Sequence, residues 1–155
     1  MTKQFIKSLT MLALVVGLAL AASVVSANAQ SSQLITADIP FDFVVADKTF
    51  PSGKYTVTKA TNDSKGLNIS SVDGKSSVSR LSNSVVGTNE TRKLVFHRYG
   101  QQYFLAEVWS SDNYGRQLIK SSKERQLEHE QSLIASKSDS GKGRFEVVEV
   151  VALFR

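Results

Sequence analysis

The sequence predicts an all-β domain, an antiparallel sandwich or barrel of about eight or nine short strands, with one helix near the C-terminus. Three observations carry that expectation. Apolar and polar residues alternate over short runs from Ile35 onward. Turn-forming residues separate those runs, Asp73-Gly74 being the sharpest hairpin signal. The segment 122–137 breaks the pattern: it lacks Gly and Pro and is rich in Lys, Glu, Gln and Arg.

The chain opens on a different kind of segment. Lys3 and Lys7 precede an apolar run from Leu9 to Val25, and Ala27-Asn28-Ala29 offers small residues at the two positions a signal peptidase requires. The pattern predicts a secretory signal peptide over 1–29, cleaved after Ala29, and a single β-rich domain over 30–155. An uncleaved membrane anchor is the alternative for so apolar a run. The A-x-A site and the polar Gln30-Ser31-Ser32-Gln33 favour cleavage. No later stretch is long enough to span a bilayer, so the product is expected in the periplasm or outside the cell, without a transmembrane segment.

From Ile35 to Val45 the odd positions are apolar, with Thr36, Asp38 and Asp42 between them, and Pro40 marks an edge or bend because it cannot donate to a ladder. Turns follow at Asp47-Lys48 and Pro51-Ser52-Gly53. Tyr55 to Lys59 and Leu67 to Val72 are the next strands, and Ser76 to Leu81 and Ser84 to Val86 are weaker ones. Lys93 to Tyr99 and Gln102 to Trp109 form a hairpin across Gly100-Gln101, with Phe104, Ala106 and Val108 on one face of its second arm. Ser111 to Gly115 is a turn and Gln117 to Lys120 a short strand. Ser121 followed by Glu124 starts a helix over about 122–137 as a capping box, with Leu127 and Ile134 on its buried stripe. Phe145 to Phe154, almost continuously apolar, is expected as a doubly covered central strand over about 145–154.

Composition narrows the function. The chain has 155 residues and a net charge of +5, which falls to about +3 once Lys3 and Lys7 leave with the leader. The signs are interspersed, so a nucleic-acid partner is not expected. Cysteine is absent, which excludes thiol catalysis, cysteine-ligated zinc and iron–sulfur clusters.

The candidate chemistry is sparse. His97 lies in a strand with no sequence neighbour to complete a base or a metal site, and alternation sets it on the face of Lys93, opposite Leu94 and Phe96. Glu128-His129-Glu130 is dense in ligand types, but consecutive helix residues diverge by about 100° and cannot converge on one ion. Asp38 and Asp42 share a face as strand neighbours do, with Pro40 interrupting the spacing a carboxylate pair needs. No G-x-S-x-G elbow or glycine-rich phosphate loop is present. No catalytic, cofactor-binding or metal-ligating residue is therefore expected. The remaining candidates are aromatic: Tyr55, Tyr99, Tyr103, Trp109 and Tyr114, either packing across strands or lining a ligand-binding face.

Several runs resemble a known group. Ile39-Pro40-Phe41-Asp42-Phe43-Val44-Val45, then Lys48 to Val57, then Leu94 to Gly100 and Tyr103 to Trp109 are similar to small exported bacterial proteins of the acidobacterial type. Gly115-Arg116 and Ser122-Lys123-Glu124-Arg125 match as well. The resemblance covers most of residues 30–155; the group usually has alanine where this chain has Ser52. It implies export and a β-rich fold and brings no catalytic residue with it.

The expected function is that of an exported, non-enzymatic β-domain that binds or serves as a structural module. The alternative is a lipocalin-like carrier of a small apolar ligand, and an exported hydrolase is the least supported reading. Possible partners are an envelope component, a glycan or that apolar ligand.

Overall fold

The computed structural model describes residues 33–60, 65–88, 91–110, 113–137 and 145–153. The leader, the loop after the helix and Phe154 lie outside the described residues. Ten strands and one helix follow in order: β1 (Gln33–Ile39), β2 (Phe43–Val45), β3 (Lys48–Phe50), β4 (Gly53–Lys59), β5 (Gly66–Ser71), β6 (Ser77–Val86), β7 (Lys93–Tyr99), β8 (Gln102–Trp109), β9 (Tyr114–Leu118), helix α1 (Ser122–Lys137) and β10 (Glu146–Val151). The strands run in the order β1-β4-β5-β6-β9-β8-β2-β3, with β7 beside β8 and β10 beside β7. The pairings are antiparallel except for β2 against β8, which is parallel. The sheet is thus mixed and does not close into a barrel. Among the described residues, β1 and β10 share no ladder, and one bridge beyond the end of β10 joins Thr36 to Leu153.

The two weak serine-rich runs form one strand, β6, and that strand turns the corner. Ser77 to Leu81 pair with β5, and Ser82 to Val86 pair with β9. β6 thereby passes from one layer to the other and folds the sheet over a common interior. Tyr114 and Gly115, expected in a turn, belong to β9 because they pair with Val86 and Val85.

Alternation decides what enters the interior. Ile35, Ala37 and Ile39 of β1, Tyr55 and Val57 of β4, Leu67 and Ile69 of β5, and Leu94 and Phe96 of β7 are all buried. Phe43 lies at their centre, 5.5 Å from the Phe50 ring, 4.9 Å from Tyr55 and 5.6 Å from Phe96. Each such ring contributes about 2 to 3 kcal/mol by leaving water.

β8 departs from the expected faces. Val95 pairs with Glu107 but Phe96 with Leu105, which leaves Ala106 as an extra residue. This bulge exchanges the two sides of the strand partway along. Leu105 and Val108 therefore both enter the core, while Phe104 belongs to a second cluster with Val44 and Tyr99. A single face for Phe104, Ala106 and Val108 does not form.

The last strand is also corrected. β10 pairs with β7 alone, apart from the bridge beyond its end, and its outward Val147 and Val151 are 53% and 62% exposed. Val148, Val150 and Ala152 pack inward. An apolar run shows that a strand can be covered twice, but not that a second layer is present. The strands covered on both faces are β2, where Phe43, Val44 and Val45 are all buried, and most of β7 and β8.

The second cover is α1. Leu127 packs against Val44, Tyr99 and Phe104. One heptad further along, about 10 Å on, Ile134 is 68% exposed and Leu133 53%. The expected stripe from Leu127 to Ile134 is not buried as a unit, because only the first half of the helix meets that cluster.

Candidate functional site

A buried polar cluster lies where α1 meets β7, and the turn between β2 and β3 helps to position it. That turn has two residues, Ala46 and Asp47, with φ of 52° and 64°. Two positive φ values suit the right-handed twist of a tight hairpin but disfavour residues with a Cβ. The conformation carries Asp47 to the start of the helix, where its Oδ1 accepts the Lys123 amide at 3.0 Å. That bond, then one from the Ser121 side chain, holds the Asp47 carboxyl below its ordinary pKa, with the Ser122 amide and Arg80 adding to the effect.

Ser121 completes the cap by accepting the Glu124 amide at 3.1 Å. In a full capping box the glutamate returns to the cap residue. Here its carboxylate instead lies 3.0 Å from His97 Nδ1, with both side chains buried. The carboxylate accepts, so Nδ1 carries the proton when Glu124 is ionised. Phe145 stacks on the imidazole at 3.9 Å. Beside this pair Lys120 bridges to both oxygens of Glu128 at 2.8 Å and sits 5.6 Å above the Phe145 ring.

Tyr99, two residues beyond His97 on the same face, is 4% exposed. Among the described residues its hydroxyl has no hydrogen-bond partner, and neither does Gln102 Oε1 across the hairpin. Burial, with Glu124 and Glu128 nearby, pushes the Tyr99 phenol far above its usual pKa, so it is neutral. A histidine oriented by a carboxylate is half of a general-base arrangement. Packed beneath a helix and a phenylalanine ring, this histidine keeps only 11% of its side chain exposed.

The five aromatics are not assembled into one face. Tyr55 is in the core and donates its hydroxyl to Pro51 O at 2.8 Å; burial is the main cause of its raised pKa. Tyr99 faces α1. Tyr103 is half-buried, stacked on Phe41 at 3.9 Å with the Arg98 guanidinium 5.4 Å from its ring. Trp109 is buried, donates Nε1–H to Glu107 at 2.8 Å and covers Gly115, where a Cβ would stand 2.7 Å from the indole. Tyr114 is 66% exposed.

The acidic candidates have separate tasks. Asp42 accepts the Ser52 amide at 2.9 Å and so closes the turn before β4. Glu130 accepts from Gln126, while Glu128 holds Lys120. Among the described residues no three His, Cys, Asp or Glu side chains stand where they could hold a metal ion, and no helix is long and apolar enough to cross a membrane.

One open cleft of about 530 Å³ lies between the turn ahead of β4 and the β5–β6 hairpin. Pro51, Ser52, Lys54, Val72, Asp73 and Lys75 are among its walls. Asp73 is ordered by the Ser71 hydroxyl and the Lys75 amide, which hold its pKa down in that order. Comparison with protein-family models, curated proteins and solved structures finds no match to this chain.

The His97–Glu124 contact and the Asp47 cap had partial signals. Ser121 and Glu124 announce a helix start, and the turn expected at Asp47-Lys48 lies one residue earlier, at Ala46-Asp47, because Lys48 pairs with Val45 in β3. Nothing local indicates that these segments meet.

Proposed function

We propose that this chain is an exported β-domain that acts by binding at its surface, in the periplasm or outside the cell, without chemistry of its own. The observation that carries the reading is the ring cluster of Phe43, Phe50, Tyr55 and Phe96, whose closest centroids are 4.9 to 6.0 Å apart. Side chains in mutual contact occupy the interior that a carrier would need to keep for its ligand. The cleft beside β4 opens to solvent instead. The leader-like pattern of residues 1–29 supports export. His97 of β7 and Glu124 of α1, both buried, are engaged with each other.

Native mass spectrometry of protein recovered gently from the envelope fraction tests this reading, with a denatured aliquot beside it. The expected species begins at Gln30 and has the mass of the bare chain. An apolar molecule released on denaturation would replace the reading with the carrier, and a chain still beginning at Met1 would remove export.

A further inference from the structure

Strand register builds an uncharged row across four neighbouring strands. Thr36 of β1 stands opposite Thr56 of β4, Thr56 opposite Ser70 of β5, and Ser70 opposite Ser77 of β6. Two residues along the strands, Thr58, Asn68 and Ser79 form a second row. These positions alternate with the buried Tyr55, Val57, Leu67 and Ile69, so all seven side chains project from the outer face of the layer. None of the seven is fully buried.

Strand spacing sets the rows at about 4.8 Å between neighbours and about 6.7 Å between rows. The result is a grid of hydroxyl and amide groups. The Thr36 and Thr56 hydroxyl oxygens lie 3.4 Å apart, and Ser79 donates to Asn68 at 3.2 Å. One step toward the chain turns, Lys54 stands opposite Asp38, and its carbonyl accepts the Val72 amide at 2.9 Å. Lys54 and Val72 are also walls of the cleft. Grid and cleft are therefore continuous on one side of the molecule, away from the strands that α1 covers.

The seven grid side chains carry no formal charge, and beside them Lys54 and Lys75 are matched by Asp38 and Asp73, so there is no excess charge to hold a polyanion. The exposed Leu81 at the far end is a single apolar side chain, too little to hold a lipid. A hydroxyl both donates and accepts, as does an amide side chain. The complementary partner is a molecule dense in hydroxyls. We infer that this face binds a neutral oligosaccharide chain, with one sugar unit seated in the cleft against Pro51 and Val72 and the following units laid across the rows. This rests on the surface-binding reading above and names its ligand class. Each surface hydrogen bond replaces one to water and is weak alone. Affinity accumulates along the chain, as linked contacts do.

The test is an NMR titration of nitrogen-labelled protein with glucose, cellohexaose, chitohexaose and a galacturonate hexamer. A neutral hexasaccharide is expected to shift the Lys54, Thr56, Ser70 and Ser77 amides saturably, with affinity about tenfold or more above that of glucose. Thr56→Lys and Ser70→Lys, both on the outer face, are each expected to weaken binding about tenfold at an unchanged thermal midpoint. Should either variant misfold, Ser77→Lys at an exposed position replaces it. The assignment is overturned by no saturable shift with either neutral hexasaccharide, by shifts confined to α1 or β10, or by tighter binding of the galacturonate. Any of these with a bare native mass removes only the glycan face, whereas a co-purified apolar molecule removes the surface-binding reading itself.

Discussion

The side chain of Asp47 caps the amide of Lys123 at 3.0 Å, tying the β2–β3 turn to the first turn of α1, 76 residues along the chain. The contact joins the two non-glycine residues of positive φ among the described residues to the start of the described helix. It makes the turn conformation useful, because Ala46 and Asp47 must both adopt positive φ for the carboxylate to arrive there.

Asp47→Ala is expected to lower stability by about 1 kcal/mol, the usual cost of losing a helix cap. The pH dependence has a definite sign. The folded pKa of Asp47 lies below the ordinary 3.8, so its stabilisation is complete above that value and is lost as pH falls through the folded pKa. Urea titrations between neutral pH and about pH 3 should show a smaller loss of stability in the variant than in the parent. Parallel losses would mean that the cap carries no ionic contribution.

His97 and Glu124 invite a double-mutant cycle. Removing one partner leaves the other buried without a hydrogen bond, so His97→Ala and Glu124→Ala should each cost about 3 kcal/mol. The apolar double replacement His97→Leu with Glu124→Met should cost far less than the sum of the single losses. Additive costs would show that the two side chains do not act as a pair.

Tyr99→Phe removes a buried hydroxyl that has no partner among the described residues. The expected result is a gain of about 1 kcal/mol, since an unsatisfied polar group costs its desolvation. The midpoint of chemical unfolding reports this directly. A loss of similar size would reveal a water bridging Tyr99 and Gln102, and crystallographic density between the two groups would then identify it.

Gly115→Ala places a methyl group 2.7 Å from the Trp109 ring. The indole is buried and held by Glu107, so the clash is expected to cost about 1 to 3 kcal/mol. The chain has a single tryptophan, so its fluorescence during urea unfolding follows this site. An unchanged midpoint would mean that the ring moves aside freely.

The local features legible in the sequence were those with local causes. The helix occupies 122–137 as its composition and cap residues indicate, and the hairpin of β7 and β8 turns at Gly100, whose φ of 62° suits glycine. The alternation of Tyr55 and Val57, or of Leu94 and Phe96, correctly marks inward positions. The bulge at Ala106 left no trace in the apolar pattern, because an extra residue shifts phase only relative to a partner strand. The exposure of β10 was equally hidden, since edge and central strands can be written with the same valines.

The candidate sites divide in the same way. Residue types alone ruled out thiol and cysteine-metal chemistry and set His97 on the face opposite Phe96. They did not bring Glu124 to His97 across 27 residues, nor align Thr36, Thr56, Ser70 and Ser77 on four strands.

By itself the sequence determined that this is a β-rich chain with a helix near its C-terminus, because hydrophobic period and turn chemistry act over a few residues. Only the tertiary structure decided that the sheet stays open, that α1 covers β7 and β8, and that an uncharged grid runs beside a cleft. Those features depend on which strands pair and in what register, and pairing is a long-range choice made by burial of the whole interior.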